Sequence, residues 1–408
     1  ASVRPGPEEQ VLRHAFPIAE TNFDPAQITD VYSRTVVANI LEAPLEWAYM
    51  SRPAALRPCT AAALPEISEN FTRFVLTLKP GTRFADDPAF GGHPRELVAA
   101  DYVYSLKRHY DPRWKSGSVY LLESAGVLGL SEMRKEALAS KKPFDYDREV
   151  EGLRVLDRYR FEIRLARPDP RFHYHLADAG FCGAVAREVV EKYGDRIGEH
   201  PVGTGAFKLA AWKRSSRIEL DRNPNFRDVR HDEHPDPADT RLVQMAERLR
   251  GQRLPLAERM VVSIIEEAQP RWLSFLNAEQ DFIERVPEEF TGLAAPGGKL
   301  AANLARRGVG LQRYYRSDIA FTYFAMEHPV VGGYTPDKVA LRRAISLSVD
   351  LPGEIANVRR GQAVAAQSVV APETWGYEPG FKSEMSDHDP ARARALLDLH
   401  GYVDRNGD

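Results

Sequence analysis

The residues best suited to molecular recognition sit in a short polar loop near the start of the chain. Glu20-Thr21-Asn22-Phe23, ahead of Asp24-Pro25, places a carboxylate, a hydroxyl and an amide beside backbone groups and one aromatic ring. That set suits hydrogen bonding to a small solute and packing against it, which is binding chemistry. The proline restricts the residue before it to extended conformations, so the course of the loop is fixed in advance. Asp24 itself also reads as a helix N-cap. Trp375-Gly376-Tyr377 offers a second aromatic surface, as do Tyr314, Tyr315, Tyr323 and Phe324; core packing is the other role open to all of them.

Other reactive residues form weaker patterns. His231, Asp232, Glu233, His234, Asp236 and Asp239 lack the helical spacing of a zinc motif and lie in a proline-broken stretch, so a solvated charged loop is expected and no metal site. Asp404, Asn406 and Asp408 occupy the first, third and fifth places of a calcium loop, a pattern that a plain polar turn also fits. Cys59 and Cys182 are either one disulfide or two buried thiols. The sequence has no nucleophile elbow, phosphate loop or dinucleotide fingerprint, so neither an enzyme nor a cofactor is expected. Scattered Ser and His residues could still meet in space as a triad, which keeps a secreted or periplasmic hydrolase acting on peptides as the alternative.

The elements that must position these residues are mixed. Phe74, Leu76 and Leu78 alternate with Val75 and Thr77 ahead of Lys79-Pro80-Gly81-Thr82, which predicts a strand and a tight turn. Tyr102, Val103, Leu106 and Tyr110 fall at helical spacing, with Lys107 and Arg108 expected on a polar face. Residues 120–146 read as a surface excursion. From Arg158 to Leu165, aromatic and aliphatic residues alternate with charged ones, so one buried and one wet face are predicted. Residues 226–256 are charge-rich and broken by Pro235, Pro237 and Pro255, which predicts an exposed loop, a polar helix and the best internal break. One-sided helices are predicted around Trp272 and around Ile345.

The 408 residues are 43% hydrophobic and 28% charged, enough for two or three packed units, and the formal net charge is −3. Basic residues are spread along the whole chain, which argues against nucleic acid as a partner. No apolar run approaches the roughly 18 residues of a membrane span. The Ala-Ser-Val-Arg start fits a mature chain whose signal peptide was removed.

Several segments, in a fixed order, resemble the family 5 extracellular solute-binding proteins of ABC importers, the oligopeptide and dipeptide binders. Asn22-Phe23-Asp24-Pro25 stands at the family's "LDP" loop, followed by Asn39-Ile40-Leu41-Glu42. Leu76 to Phe84 resembles "FKLRPGVKF", Ala100 to Arg108 "AEDVVYSLKR", and Pro201 to Leu209 "PVGTGPYKL". Arg222 to Phe226, Gln269 to Asn277, Leu341 to Asp350 and Asp389 to Leu397 continue the series, and Gly401-Tyr402 closes it.

The resemblance implies an α/β fold, the two-lobed periplasmic-binding-protein (Venus flytrap) fold with mixed sheets, with the second lobe incomplete in this chain. Residues 1–35 and 176–282 would form the main sheet unit of the first lobe, 36–175 an inserted subdomain, and 283–408 the opening part of the second lobe. The glycines of Gly203-Thr204-Gly205 would serve a close backbone approach or a bend at an interlobe crossing, an ordinary turn being the plainer reading. The implied function is capture of a peptide or peptide-like solute and its delivery to a membrane permease with its own ATPase subunits. The implied setting is the periplasm or another extracytoplasmic site, and the implied state a monomer. The family's amine-binding acidic residue falls beyond Asp408. The expected ligand contacts are Glu20, Thr21, Asn22 and Phe23 of the first lobe and Trp375 and Tyr377 of the second.

Overall fold

The computed structural model describes residues 10–384 and 386–405, in two compact units that meet in sequence at Ile283 and Glu284. The stretch 226–256, expected to be the main internal break, lies inside the first unit.

The strands of the first unit begin with β1 (Val11–Phe16), β2 (Leu45–Trp47), β3 (Leu56–Pro58), β4 (Glu66–Ser68) and β5 (Arg73–Thr77). They continue with β6 (Leu153–Val155), β7 (Arg160–Arg164), β8 (Phe207–Lys213) and β9 (Arg217–Arg222). The hairpin strands β10 (Val229–Arg230) and β11 (Arg253–Leu254) and the longer β12 (Arg259–Ile264) complete the set. One four-stranded sheet has the order β1-β12-β9-β8, with β1 parallel to β12 and the other pairs antiparallel. Its register sets Val11 beside Arg259 and Phe16 beside Ile264, so residues 248 positions apart are held as neighbours.

A second, antiparallel sheet has the order β4-β5-β7-β6. Phe74 pairs with Ile163 and Leu76 with Phe161, and all four are fully buried. Alternation drives this, because period-2 spacing puts the large apolar residues of both strands on one face. The other face is only partly wet. Glu162 is buried at 1% exposure, because Arg73 and Arg154 bridge it at 2.5 and 2.7 Å and lay their stems over it. A single core runs from Phe16 through both sheets to Val262.

The helix α1 (Val31–Val37) is capped by Asp30, whose carboxylate accepts from the Ser33 amide. The helix α2 (Ala99–Arg108) differs from the amphipathic expectation, since every residue from Asp101 to Arg108 is buried. Lys107 has no wet face; its ammonium donates to the carbonyls of Tyr146 and Arg148 at 2.9 and 2.7 Å. Arg108 meets Asp24. The 120–146 stretch also departs from a surface excursion: it forms α3 (Val119–Ala125) and α4 (Leu130–Ser140), which bury Leu122, Leu130 and Met133.

Between β9 and β12 the polar stretch does carry a helix, Thr240–Leu249, capped by Asp239. It is not wholly solvated. Glu233 is buried, accepting from the Tyr49 and Met50 amides at 3.1 Å each and from Arg57 at 2.8 Å. His231 is buried as well. Among the described residues no three His, Cys, Asp or Glu side chains converge as a metal site. Both cysteines are free and buried: the Cys59 thiol reaches Glu42 at 3.4 Å and that of Cys182 the Asp178 carbonyl at 3.3 Å. Burial pushes both thiols well above their ordinary range.

In the second unit the helices Pro336–Ser348 and Pro390–Leu399 pack together through Ala344, Leu347 and Ala393. Tyr314, Tyr315 and Tyr323 are exposed there. Of the calcium pattern, Asn406 and Asp408 lie outside the described residues.

Candidate ligand-binding site

The loop Glu20–Phe23 leaves the buried end of β1 and is gripped from three directions. The first grip comes from the end of β8 and the turn that joins it to β9. Glu20 is buried, and its Oε1 accepts from Trp212 Nε1 at 2.5 Å and from the Ser215 amide at 2.9 Å. Its Oε2 is buried with no hydrogen-bond partner among the described residues. Arg214, stacked over the Trp212 ring at 4.2 Å, donates to the Thr21 carbonyl at 3.2 Å.

The second grip is the start of α1. Ser33 Oγ accepts from the Thr21 and Asn22 amides at 2.9 and 3.3 Å and donates to Asp30 at 2.7 Å. The Thr21 hydroxyl also donates to Asp30. Partial burial works against the charge on Asp30, but the Ser33 amide and the two hydroxyls outweigh it and hold the carboxyl below its usual range.

The third grip follows directly in sequence. Asp24 caps no helix; its two oxygens take both terminal nitrogens of Arg108 at 2.5 and 2.8 Å, and neither side chain is more than 1% exposed. Arg108 also lies 4.3 Å above the Trp114 ring. Asn22 Oδ1 accepts from the Asp24 amide at 2.8 Å, an Asx turn that sets the entry to Pro25. A Cβ on Gly198 would lie 2.0 Å from that oxygen, so any side chain there would push the Asn22 amide out of this turn. Phe23 is fully enclosed, its ring 4.4 Å from Trp212. It anchors the loop to the core and offers no surface of its own.

Trp212, Arg214 and Ser33 were absent from the residues singled out in the sequence, and Arg108 was expected on a polar helix face. The 192 positions that separate Glu20 from Trp212 carry no pattern that pairs them.

The Gly203-Thr204-Gly205 segment resolves into the close-approach alternative. A Cβ on Gly203 would lie 2.1 Å from the Ile40 carbonyl oxygen, and one on Gly205 2.7 Å from it. The partner backbone is that of Asn39 and Ile40 in the same unit, to which Gly205 and Phe207 donate at 2.8 and 3.0 Å. Thr204 and Arg227 then converge on the buried Glu42 carboxylate, at 2.8 and 2.6 Å.

In the second unit Trp375 is 100% exposed and Tyr377 40% exposed, so core packing is not the role of the tryptophan in that unit. The Ser–His contact that a hydrolase would need does occur, between Ser116 and His109 Nδ1 at 2.7 Å. Both residues are sealed inside the protein. His109 Nε2 faces the Phe181 carbonyl at 2.7 Å rather than a carboxylate, and burial pushes the ring down to about 4, so it stays neutral.

A sequence model described as bacterial extracellular solute-binding proteins, family 5 Middle, matches residues 55–408. The chain belongs to that family. Relatives and neighbours of this family 5 chain agree with the match. It is 30% identical over 163 residues to the periplasmic oligopeptide-binding protein OppA of Salmonella typhimurium, covering 40% of this chain and 27% of that one. The peptide transport periplasmic protein SapA of the same organism is 23% identical over 359 residues, 84% of this chain and 54% of that one. The periplasmic binding protein DppA from Helicobacter pylori, solved with the peptide STSA, superposes with a TM-score of 0.67 at 16% identity, over 97% of this chain and 67% of that one. These neighbours share the two-lobed periplasmic-binding-protein fold with mixed sheets. The chain thus spans about half or less of the length of the curated relatives it matches. Among the described residues no helix is long and apolar enough to cross a membrane.

Proposed function

We propose that this family 5 chain captures a peptide or peptide-like solute outside the cytoplasm and delivers it intact to an ABC permease with its own ATPase subunits. Membership of the family over residues 55–408 is the observation that carries the reading. The protein acts as a monomer in the periplasm. Residues 1–35 and 176–282 serve as the main sheet unit of one lobe, 36–175 as its insert and 283–408 as part of the other.

The loop Glu20–Phe23 is the ligand contact of the first unit. Its backbone is held from three sides before any ligand arrives, which lowers the ordering cost of binding. Glu20 Oε2 is an unspent buried acceptor, and such groups are costly unless something donates to them. Thr21 and Asn22 present the loop's accessible face, and Phe23 fixes it from behind. Trp375 and Tyr377 supply aromatic area from the second unit, contact that is tolerant of ligand sequence.

Incubation with a peptide pool, followed by mass spectrometry of what the protein retains, tests the reading. Intact peptides are expected. Cleaved products would point to the hydrolase alternative instead, against which the sealing of Ser116 and His109 stands.

A further inference from the structure

We infer that the end of β8 and the turn joining it to β9 are the positioning element of the ligand loop, with Trp212 and Arg214 as positioning residues that themselves need not touch the ligand. The inference rests on the assignment of Glu20–Phe23 as a ligand contact. Four contacts converge from this segment onto three of the loop's four residues. The Trp212 indole N–H and the Ser215 amide take the same oxygen of Glu20. The Arg214 guanidinium takes the Thr21 carbonyl. The Trp212 ring packs on Phe23.

The turn is built for this. Ser215 has a φ of 53°, the left-handed region that a non-glycine residue rarely occupies, and its amide is the one that reaches Glu20. Arg214 is held over the indole and steadied by Glu199 at 3.4 Å, so its aim at Thr21 is set by side chains of the same unit. Glu20 cannot swing toward a ligand without releasing both donors. Its second oxygen therefore has one fixed direction, chosen by Trp212 and Ser215. An indole N–H bonded to a carboxylate also gives the site an optical reporter: a ligand group that draws on Glu20 alters the charge facing Trp212.

Hydrogen exchange read by mass spectrometry, with native mass spectrometry of a pool of synthetic tetrapeptides, tests this. Trp212→Phe keeps an aromatic ring against Phe23 and removes the N–H together with the rest of the five-membered ring. Arg214→Ala removes the bond to Thr21 from a side chain that is 55% exposed, so it keeps the test open should the first variant fold poorly. In both unliganded variants the amides of residues 18–24 are expected to exchange about tenfold faster while those of α1 and β12 keep their protection. Affinity for the retained peptides should fall about tenfold, and the ligand-induced change in tryptophan emission, to which Trp375 also contributes, should shrink in Trp212→Phe. Unchanged exchange of residues 18–24 in both variants overturns the inference whatever the ligand. Faster exchange with unchanged peptide affinity overturns the link between positioning and capture. A wild-type protein that retains no tetrapeptide overturns the peptide assignment instead, and the exchange result still decides the role of the turn.

Discussion

The Asp24–Arg108 pair shows how one contact can decide a site's geometry. Both side chains are out of water, both terminal guanidinium nitrogens are engaged, and the pair ties the residue after the ligand loop to the middle of the core. Desolvation makes such a pair a poor source of net stability, yet removing one partner strands a buried charge. Arg108→Met or Asp24→Leu alone is therefore expected to lower the free energy of unfolding by about 3–5 kcal/mol. The double replacement should lose clearly less than the sum, because no unpaired charge remains. Urea denaturation of the four proteins measures this, and strict additivity would contradict it. Neither partner's role was legible in the sequence. Asp24 sits where a helix cap would, and Arg108 sits in a helix whose apolar spacing implies a wet side that the fold then covers.

At the scale of elements, the sheets followed from alternation and their polar faces did not. The pattern of 158–165 predicts β7 and its inward aromatic face, since period-2 spacing is local. Sealing of Glu162 depends on Arg73 and Arg154 from two neighbouring strands, which only register supplies. This gives a pH signature. Burial raises the proton affinity of Glu162, but the two guanidiniums outweigh it and hold the carboxyl below its ordinary value of 4.5. A folded-state value below the unfolded one means the stabilisation is fully present above about pH 4.5 and is lost as pH falls through the folded value. The stability difference between wild type and Glu162→Gln should be constant from pH 7 to 5 and shrink below that, read by thermal melts across pH. A difference that grows on acidification would contradict the pairing. The glycine segment makes a second test. Gly203→Ala drives a methyl into the Ile40 carbonyl and should cost about 3 kcal/mol. Gly292→Ala, in a helix with open space around it, should be neutral or stabilise by up to about 1 kcal/mol. Chemical denaturation of the pair distinguishes a close approach from an ordinary turn, at which both would behave alike.

For the whole molecule, the order of family motifs along the chain carried the family and the fold, because those motifs mark the backbone junctions now visible at Asp24, Gly203 and α2. They carried less about the binding surface. The contacts that shape the loop come from Trp212 and Arg214, whose place is set by the pairing of β1 with β12, of β12 with β9 and of β9 with β8 rather than by any local pattern. The second unit contributes a fully exposed tryptophan whose removal should leave stability within about 0.5 kcal/mol, so its effect on binding can be read without a folding penalty. The most direct test is native mass spectrometry of the purified protein after incubation with a tetrapeptide pool, comparing wild type with Asn22→Ala and Trp375→Ala. One intact peptide per protein is predicted for wild type, with occupancy falling about tenfold in both variants while the unliganded melting temperature of Trp375→Ala stays close to that of wild type. No retained peptide in wild type, cleaved fragments, or equal occupancy in all three proteins would contradict it.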